Sequence, residues 1–559
     1  MTTFNEVKQK KRLKEFREKE EEALVKMLSV KYGIHYLDIS TIRINNSAIG
    51  VVKETDARDA SLGVFDINGK KLSIAILSPN NDKTNRLLED TEKRGYKITL
   101  FMASHRGIEK IWERYKDITN TQKSEAGVLD ISTDELESIL KKFNSIDEVR
   151  SAVNESLQTK DIHRISRIFE IVLGGAIATG VSDVHFDPQE DAVRLRYRLD
   201  GILVDVTKVD HKTYHFLISR IKLLSGLKLN VTNDTQDGRF SIKINEMEIE
   251  IRTSILPGPY AEGAVMRILN PESIEVTLDE LGIEPGLLEI FKKEMGKPNG
   301  MILNTGPTGS GKTTTLYAFL KKIYNPEIKI ITIEDPIEYH LKGVTQTQVD
   351  SKTNYTFLNG LRAALRQDPD AIMIGEIRDG ETAKIAINSA LTGHLVLSTL
   401  HTNTAAGAIP RLIDLGVNPK VIGSALNIAI AQRLVRKLCE HCKKEATPNE
   451  GELTILKKVL ESIKAKRGKE VFDFDPIKIW RAGECDKCNA GYKGRIGVYE
   501  AILMDEALEM IMAENPNERE IKKAAQPQGI FDMKEDGVLK ILRGVTSMEE
   551  LGRVIELND

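Results

Sequence analysis

The sequence predicts an α/β chain in which a parallel sheet, covered by helices on both faces, follows two smaller α+β domains. Two observations support this prediction. From residue 272 onward, short apolar segments alternate with helical patterns, and this alternation is typical of a parallel sheet. Before residue 272, runs with period-two alternation stand among a few helical patterns and indicate two smaller sheets.

The first small domain covers residues 1–117. It opens with a charged helix over residues 8–28, and two segments with strand character follow, Lys71–Leu77 and Lys97–Met102. The next segment, residues 118–155, is polar and charged, which predicts a linker that can include short helices.

The second small domain covers residues 156–271. Its strand Val193–Gly201 carries arginines at positions 194, 196 and 198, which the period of a strand places on one face. The third domain, residues 272–559, contains the parallel sheet, and an excursion at about residues 436–495 carries the cysteines.

The composition is that of an ordinary globular protein. The length of 559 residues predicts three or four domains. A formal net charge of −3 gives no global reason to expect nucleic acid as a partner. The N-terminus is too charged for a signal peptide, and no apolar stretch reaches the length of a membrane span. With only four cysteines, in two close pairs, we expect a cytoplasmic protein in a reducing compartment.

A glycine-rich segment stands between the apolar run Gly300–Asn304 and the helical run Thr313–Ile323. In this strand–loop–helix order, backbone N–H groups and a helix N-terminus bind phosphate. We therefore expect a nucleoside triphosphate, with Lys312 at its β- and γ-phosphates and Thr313 on Mg²⁺. A chance glycine-rich turn is the alternative, which the context disfavours. The predicted phosphate-binding residues are Gly306, Pro307, Thr308, Gly309, Ser310, Gly311, Lys312, Thr313 and Thr314.

Acidic residues follow two further apolar strands. They are Glu334, Asp335 and Glu338 after the strand Lys329–Ile333, and Glu376 in the segment Asp370–Asp379. Ligands of open parallel sheets bind at the carboxyl ends of the strands, where these acids could coordinate Mg²⁺ through water or orient an attacking water. A helix cap formed by Asp335 ahead of a proline is the structural alternative. Phosphate-loop ATPases usually have an aspartate before the second acid, and here a glycine stands there, so Glu376 must act alone.

Four basic side chains complete the predicted nucleotide site. Arg362 and Arg366 are four residues apart on a predicted helix, where they could bind phosphate, reach a neighbouring subunit or serve as ordinary ion-pair partners. His394 and His401 flank an apolar strand, and we expect both at the nucleotide edge of the sheet, as sensors of the γ-phosphate. A satisfied structural role is the alternative for both histidines.

Two Cys-x-x-Cys pairs match the spacing of a closed tetrahedral Zn²⁺ site. The long segment between the pairs leaves a disulfide or a redox pair open, although a reducing compartment argues against stable disulfides. His441 is an alternative ligand. The predicted zinc ligands are Cys439, Cys442, Cys485 and Cys488.

Five motifs occur here in the order and spacing of one known family. They are Gly306–Thr314, Ile331–Tyr339, Leu365–Asp370, Ile374–Asp379 and Thr392–Asn403, with further matches at Ser182–His185, Arg196–Gly201, Gln236–Arg239, Ala431–Arg436 and Gly491–Tyr499. The combination resembles the secretion ATPases of the type II secretion and type IV pilus superfamily. The four cysteines and the N-terminal domain favour its extension or secretion branch, because retraction ATPases of the superfamily typically lack both.

The resemblance implies a ring-shaped homohexamer with a RecA-like motor domain, and with ATP, Mg²⁺ and Zn²⁺ as ligands. In that family the nucleotide lies between the sheet domain and the motor domain, so Arg196 and Arg198 would close over the phosphates. Glu338 would then polarise the attacking water, and Glu376 would support Mg²⁺ or that water. The N-terminal domain resembles the partner-docking domain of the same enzymes.

From this resemblance we expect a cytoplasmic ATPase, peripheral to the inner membrane, that drives an inner-membrane platform protein during assembly of a type IV pilus. A type II secretion pseudopilus motor is the alternative within the family. A DNA-translocating RecA-like motor is less favoured, because the charge is near neutral and no basic-aromatic groove is evident. A GTPase is disfavoured because Thr207–Asp210, which mimics a guanine-specificity motif, precedes the phosphate loop. A nucleotide-binding scaffold without turnover would need no acids at both strand ends.

Overall fold

The structure, a computed structural model, consists of two compact units, Met1–Asp130 and Ile131–Asp559. It describes residues 21–39, 42, 44–49, 51–52, 54–68, 70–115, 128–129, 140, 142–159, 164–244, 247–271, 276–350, 353–467, 474 and 476–557. Residues 8–20 of the predicted first helix therefore lie outside the described residues, and so does most of the predicted linker up to residue 141.

The first unit contains a small mixed sheet with helices. Its elements are α1 (residues 21–32), β1 (His35–Tyr36), α2 (Asn46–Ile49), α3 (Glu54–Asp59), β2 (Leu62–Asn68), β3 (Lys71–Ile76), α4 (Asp82–Lys93), β4 (Lys97–Met102), α5 (His105–Glu113) and β5 (Val128–Leu129). Four strands lie in the order β1-β4-β3-β2, in which only β2 and β3 are antiparallel. The predicted strands of this domain are confirmed as β3 and β4.

The second unit begins with a sheet domain. Its elements are α6 (Ile146–Gln158), α7 (Arg164–Ala178), β6 (Asp183–Pro188), β7 (Val193–Leu199), β8 (Ile202–Val209), α8 (His211–Leu224), β9 (Gln236–Ile244), β10 (Met247–Leu256) and β11 (Gly263–Leu269). Six strands of this unit lie side by side in the order β9-β10-β11-β6-β7-β8, and every neighbouring pair is antiparallel. Along β7, buried residues alternate with the arginines, as predicted. Strand β8 was not predicted.

Helix α6 belongs to the sheet domain, although the sequence predicts a linker over residues 118–155. Nε of Arg150 donates to the carbonyl oxygen of Val206 (2.9 Å), so the helix is bonded to strand β8. Where α6 crosses α7, the missing side chain of Gly175 leaves room for the buried Val149. The predicted linker is therefore wrong in its last part, because the apolar face of α6 has a sheet-domain helix to pack against.

The motor domain completes the second unit. Its elements are α9 (Pro285–Met295), β12 (Gly300–Thr305), α10 (Lys312–Ile323), β13 (Ile330–Glu334), β14 (Thr345–Gln348), α11 (Phe357–Ala364), β15 (Ala371–Ile374), α12 (Gly380–Leu391), β16 (Leu395–Leu400), α13 (Ala408–Asp414), α14 (Pro419–Ala425), β17 (Leu426–Leu438), β18 (Lys444–Ala446), α15 (Glu450–Arg467), β19 (Ile479–Arg481), β20 (Tyr492–Leu503), α16 (Glu506–Met512), α17 (Glu518–Ala525), α18 (Met533–Leu542) and α19 (Met548–Val554). None of the helices in the described part of the chain has both the length and the apolar character that a membrane span requires.

The main sheet of the motor domain has the strand order β14-β13-β15-β16-β12-β17-β20. All neighbouring pairs are parallel except β17 and β20. Every residue of β12 is buried, with Met301 and Leu303 in one apolar core and Ile302 in the other. Helices α11 and α12 cover the first of these faces, and α9 and α10 cover the second. The predicted α/β fold class is thus confirmed.

The carboxyl ends of four parallel strands meet at one edge of this sheet. The glycine-rich loop follows β12, and the loop after β13 carries Asp335 and Glu338. Glu376 follows β15, and His401 follows β16. Residues far apart in sequence are therefore brought to one place by the direction of the strands.

We expect Gly175→Ala to loosen helix α6. A Cβ at Gly175 would lie 2.7 Å from a methyl carbon of Val149. Overpacking of this kind costs about 1–3 kcal/mol, which exceeds the gain of about 1 kcal/mol in helix propensity over glycine. Hydrogen exchange of the α6 amides in the full chain should therefore speed up.

The matched control is Gly552→Ala in α19, where the nearest atom to a new Cβ is a carbon of Leu557 at 3.6 Å. This contact is of ordinary length, so exchange in α19 should be unchanged or slower. Unchanged exchange of α6 in Gly175→Ala would contradict the packing described for α6 and α7.

Candidate functional site

The glycine-rich loop connects β12 to α10 and turns its backbone toward the carboxyl edge. Gly309 and Gly311 have φ angles of 79° and 88°, which glycine adopts without steric cost. Gly311 is the N-cap of α10, so the free N–H groups of the first helical turn open toward the loop. A Cβ on Gly311 would also lie 2.8 Å from Nε2 of Gln432. The loop is therefore shaped as a cradle for an anion.

Two side chains of the loop fit a phosphate ligand. Nζ of Lys312 donates to the carbonyl oxygens of Gly306 (2.8 Å) and Pro307 (3.1 Å). Burial lowers the pKa of Lys312, and a bound polyanion would oppose that shift. Oγ of Ser310 is buried and has no hydrogen-bond partner among the described residues, so a phosphate oxygen would satisfy it. The residues thus fit a triphosphate, and the exposed Thr313 would hold the accompanying Mg²⁺.

Strand β17 supports the loop from behind through Gln432, which is 1% exposed. Its Oε1 accepts from Nδ2 of Asn304 in β12 (3.0 Å) and from Oγ1 of Thr315 in α10 (2.8 Å). One buried amide therefore ties the strand before the loop to the helix after it. Gln432 lies in the family motif Ala431–Arg436, but it was not predicted as a site residue, and a polar side chain after the apolar run Ile428–Ala431 was the available signal.

The first carboxylate of the acidic segment, Glu334, is 3% exposed and faces the protein interior. Its oxygens accept from Oγ1 of Thr332 (2.6 Å), from Nε2 of Gln346 (3.1 Å) and from the hydroxyl of Tyr317. Burial raises the pKa of this carboxyl, although the three donors oppose the shift. Both oxygens are thus already bonded inside the protein, which the sequence did not indicate.

The other two acids of this segment, Asp335 and Glu338, are part-exposed at the sheet edge. No helix begins within the described residues 336–344, so the alternative of a helix cap at Asp335 is not realised. Nη1 of Arg378 lies 3.8 Å from Oδ2 of Asp335. Both carboxylates belong to the loop that follows β13 at the carboxyl edge of the sheet.

Glu376 lies at the same edge of the sheet, two residues after the end of β15. Burial alone would raise the pKa of Glu376, but an ion pair with Arg378 and a contact with His401 (Nε2–Oε2, 3.2 Å) outweigh burial and hold that pKa below its ordinary value. The carboxylate is therefore ionised at neutral pH, as an acceptor for a metal-bound water must be. His401 thus lies at the carboxyl edge of the sheet beside Glu376, and its role as a sensor of the γ-phosphate stays a prediction.

A sheet-domain arginine that was not predicted reaches the acidic segment. Nη1 of Arg252, in β10, lies 3.2 Å from Oε2 of Glu338, and the same guanidinium donates to the carbonyl oxygen of Ile337. Its neighbour on β11 is Arg267, which pairs with Asp183 (3.0 Å). Two arginines directly opposite each other repel unless each is paired, and here each has an acidic partner. The register of the two strands, which is known only from the fold, was needed to find this contact.

The predicted arginines of β7 share one face, as expected, and each is paired within the sheet domain. Arg196 lies 2.8 Å from Asp187, and Arg198 lies 3.5 Å from Asp183. Aspartates of the neighbouring strand β6 therefore bind both guanidinium groups. The role of Arg196 and Arg198 at the phosphates stays a prediction.

The prediction for His394 is wrong. This histidine precedes β16, and its Nδ1 lies 3.1 Å from the carbonyl oxygen of Ser389. The six residues of β16 separate it from His401, and at about 3.3 Å per residue they span about 20 Å. A strand carries its two flanking residues to opposite edges of the sheet, so only His401 can face the nucleotide.

Arg362 and Arg366 do not share an α-helical face. Helix α11 ends before Arg366, which lies in the 3₁₀ turn Leu365–Gln367. Pro369 follows closely, and a proline disfavours helix in the residue before it. Both arginines are exposed, and Arg362 lies 3.6 Å from Glu381, which favours the ion-pair alternative for that residue.

The four cysteine sulfurs all lie within 4.8 Å of one another. The Sγ–Sγ distances are 3.8 Å for Cys439–Cys485, 3.6 Å for Cys442–Cys488 and 3.4 Å for Cys485–Cys488. Thiolates bound at about 2.3 Å to a tetrahedral Zn²⁺ lie about 3.8 Å apart, so the donor set fits this ion. All four thiols are free, which disfavours the disulfide alternative. The long segment between the pairs contains α15 and the antiparallel strands β18 and β19, which precede and follow that helix.

Known proteins resemble this chain over most of its length. A family model described as type II/IV secretion system protein matches residues 158–553. Type II secretion system ATPase E of Vibrio cholerae is 40% identical over 419 residues, 74% of this chain and 79% of that protein. Type IV pilus assembly ATPase PilB of Pseudomonas aeruginosa is 36% identical over 549 residues, 95% of this chain and 90% of that protein.

A solved structure supports the fold. The ATPase DotB of Yersinia pseudotuberculosis superposes with a TM-score of 0.50 at 19% identity, over 70% of this chain and 93% of that chain. The predicted RecA-like architecture of the motor domain is confirmed.

We expect the purified full chain to contain about one zinc ion per chain, because its four sulfurs match one tetrahedral site. Cys442→Ser should lose this zinc, and metal analysis by mass spectrometry measures the content. His441→Ala is the matched control and should retain it, because His441 lies outside the sulfur cluster. Full zinc content in Cys442→Ser, or its loss in His441→Ala, would contradict the assignment.

Proposed function

We propose that this chain, which belongs to the type II/IV secretion system protein family, is the ATPase that drives assembly of a type IV pilus. One observation carries the proposal: at the carboxyl edge of the motor sheet, a phosphate loop opens beside two part-exposed carboxylates, Glu338 and Glu376. The similarity to the type IV pilus assembly ATPase PilB runs through nearly the whole chain, including the first unit.

A type II secretion pseudopilus motor is the second candidate. The higher identity to type II secretion system ATPase E favours it, although that similarity covers a smaller part of the chain. Because the two candidates share the chemistry of ATP hydrolysis, only the filament that the cell builds distinguishes them.

In ATP hydrolysis, the residues at the carboxyl edge of the motor sheet have different roles. The loop backbone and Lys312 bind the phosphates, and Thr313 would hold Mg²⁺, which would supply positive charge to the phosphates. Glu338 orients the attacking water from the end of its exposed loop. Glu376, kept ionised by Arg378, would accept a hydrogen bond from water beside the phosphates.

The sheet domain contributes through its arginines. Arg252 stands at Glu338, so a movement of the sheet domain changes the charge beside the acid that orients the water. In a homohexameric ring, Arg196 and Arg198 would exchange their aspartate partners for phosphate oxygens. Arg362 and Arg366 are exposed, which suits a contact with a neighbouring subunit.

The family also indicates the partners. The first unit would dock the motor onto its membrane complex, and the moving domains would drive an inner-membrane platform protein that adds pilin subunits. The chain would then work in the cytoplasm as a peripheral protein of the inner membrane, held there by its partners.

We expect Lys312→Ala to lower ATP hydrolysis by the purified chain at least about 100-fold, since it removes the cation at the phosphates. Glu338→Gln should lower kcat by about 100-fold and leave KM nearly unchanged, because orienting the water matters only in the transition state. Phosphate release measures both. Lys322→Ala, at the far end of α10, is the matched control and should match the wild type.

If Lys312→Ala hydrolysed ATP at the wild-type rate, the assignment of the phosphate-binding site would be contradicted. Strong, salt-sensitive stimulation of the wild type by added DNA would favour a DNA-translocating motor instead.

In the native cell, a chromosomal Lys312→Ala substitution should abolish surface filaments and leave protein export intact. Electron microscopy counts the filaments, and assays of the medium measure exported proteins. Normal filaments with export substrates retained in the cell would favour the type II secretion motor. No change in either would contradict both candidates unless a second motor of the same kind is present, which deletion of that gene would reveal.

A further inference from the structure

Three side chains form a cluster behind the phosphate loop, which we call the buried carboxylate cluster: Tyr317 and Glu334, which are buried, and Gln346, which is half-buried. The hydroxyl of Tyr317, in helix α10, donates to the carboxylate of Glu334 at the end of β13. Nε2 of Gln346, in β14, donates to the other oxygen of the same carboxylate (3.1 Å). Tyr317 is 1% exposed and Glu334 is 3% exposed, so the hydroxyl and the carboxylate at the centre of the cluster lie inside the protein.

The cluster is bonded to the loop that carries Glu338. Nε2 of Gln346 also donates to the carbonyl oxygen of Tyr339 (2.8 Å), and its Oε1 accepts from the backbone N–H of Leu341 (2.6 Å). The rings of Tyr317 and Tyr339 meet edge to face at 6.3 Å between centroids. The backbone that follows Glu338 is therefore fixed to the interior at three points.

Tyr317 connects the cluster to the phosphate loop, because it lies on the helix that begins at that loop. Tyr317 is five residues after Lys312 on α10, a distance of about 7.5 Å along the helix axis. A continuous path of bonds thus joins the helix that begins at the phosphate loop to the loop that carries Glu338. The carboxylate of Glu334 is its central point, because both α10 and β14 donate to it.

We propose that Glu334 and Tyr317 are positioning residues, which hold Glu338 at a fixed place relative to the phosphate loop, and that neither binds nucleotide or Mg²⁺. This inference rests on the proposed function. A metal ligand must direct a lone pair into the site, whereas Glu334 uses both oxygens for three interior donors. A misplacement of about 1 Å can cost about 100-fold in rate, so the fixing of this loop matters for turnover.

The first test is Tyr317→Phe, which removes one hydroxyl and keeps the ring. We expect kcat to fall by about 10- to 100-fold, with KM for ATP and the Mg²⁺ concentration at half-maximal rate within about twofold of wild type. Tyr324→Phe, just after the same helix, is the matched control and should be unchanged. A wild-type kcat in Tyr317→Phe would overturn the inference.

The second test separates positioning from metal binding. In Glu334→Gln, the amide can accept from Thr332 and Gln346 and donate to the hydroxyl of Tyr317, which turns to accept. We expect activity within about threefold of wild type and an unchanged Mg²⁺ requirement. A rise of about tenfold or more in the Mg²⁺ requirement would make Glu334 a metal ligand and overturn the inference.

The third test asks whether Tyr317 acts through Glu338. If it does, Tyr317→Phe combined with Glu338→Gln should be no slower than Glu338→Gln alone. Independent, multiplicative losses would assign Tyr317 another role and contradict positioning. ATP binding by each variant, measured by calorimetry, confirms that the phosphate loop is folded.

These outcomes are distinct from failure of the proposed function. If Lys312→Ala and Glu338→Gln are impaired and Tyr317→Phe is not, only the positioning inference falls. If Lys312→Ala hydrolyses ATP as fast as the wild type, the proposed function itself falls.

Discussion

The structure depends on the burial of strand β12 at the centre of the motor sheet. Its neighbours β16 and β17 bond to both of its edges, and apolar cores cover both of its faces. Each large aliphatic side chain buried there contributes about 1.5–3 kcal/mol, so the strand cannot shift without a large loss of stability. The position of the phosphate loop is fixed because the loop follows this strand. Gln432 also fixes the helix after the loop, since it bonds to both the strand and the helix. Every other residue of the site is placed relative to that loop.

The chemistry of the edge is shared between two domains. Glu338 belongs to the motor domain, but its closest cation, Arg252, belongs to the sheet domain. A second bond joins the same domains, from the N–H of Gly494 to Oδ2 of Asp200 (2.9 Å). The acid is thus held from one side by the interior of its own domain and from the other side by a neighbour, so a shift of either domain changes its surroundings.

The sequence predicted features that depend on local spacing, and it missed those that depend on where elements end or on distant strands. The phosphate loop and the cysteine pairs are set by a few residues, so they were found. His394 was misplaced because its neighbourhood depends on the length of a strand, and Arg366 because the helix before it ends early. Glu334 stands within an acidic segment, and only packing shows which acid turns inward. Arg252 comes from another domain, and its partner is known only from the fold.

The bonds of Lys312 to the carbonyl oxygens of its own loop have a consequence for turnover. An incoming phosphate must displace these bonds, and hydrogen bonds to charged groups are worth about 1.5–3 kcal/mol each. The carbonyl oxygens of the loop therefore compete with phosphate for Lys312, which lowers the affinity for every nucleotide, including ADP. When product leaves, the lysine returns to the carbonyls instead of standing as a bare buried charge. These bonds therefore stabilise the nucleotide-free state. A motor that must release ADP in each cycle then exchanges ADP for ATP faster.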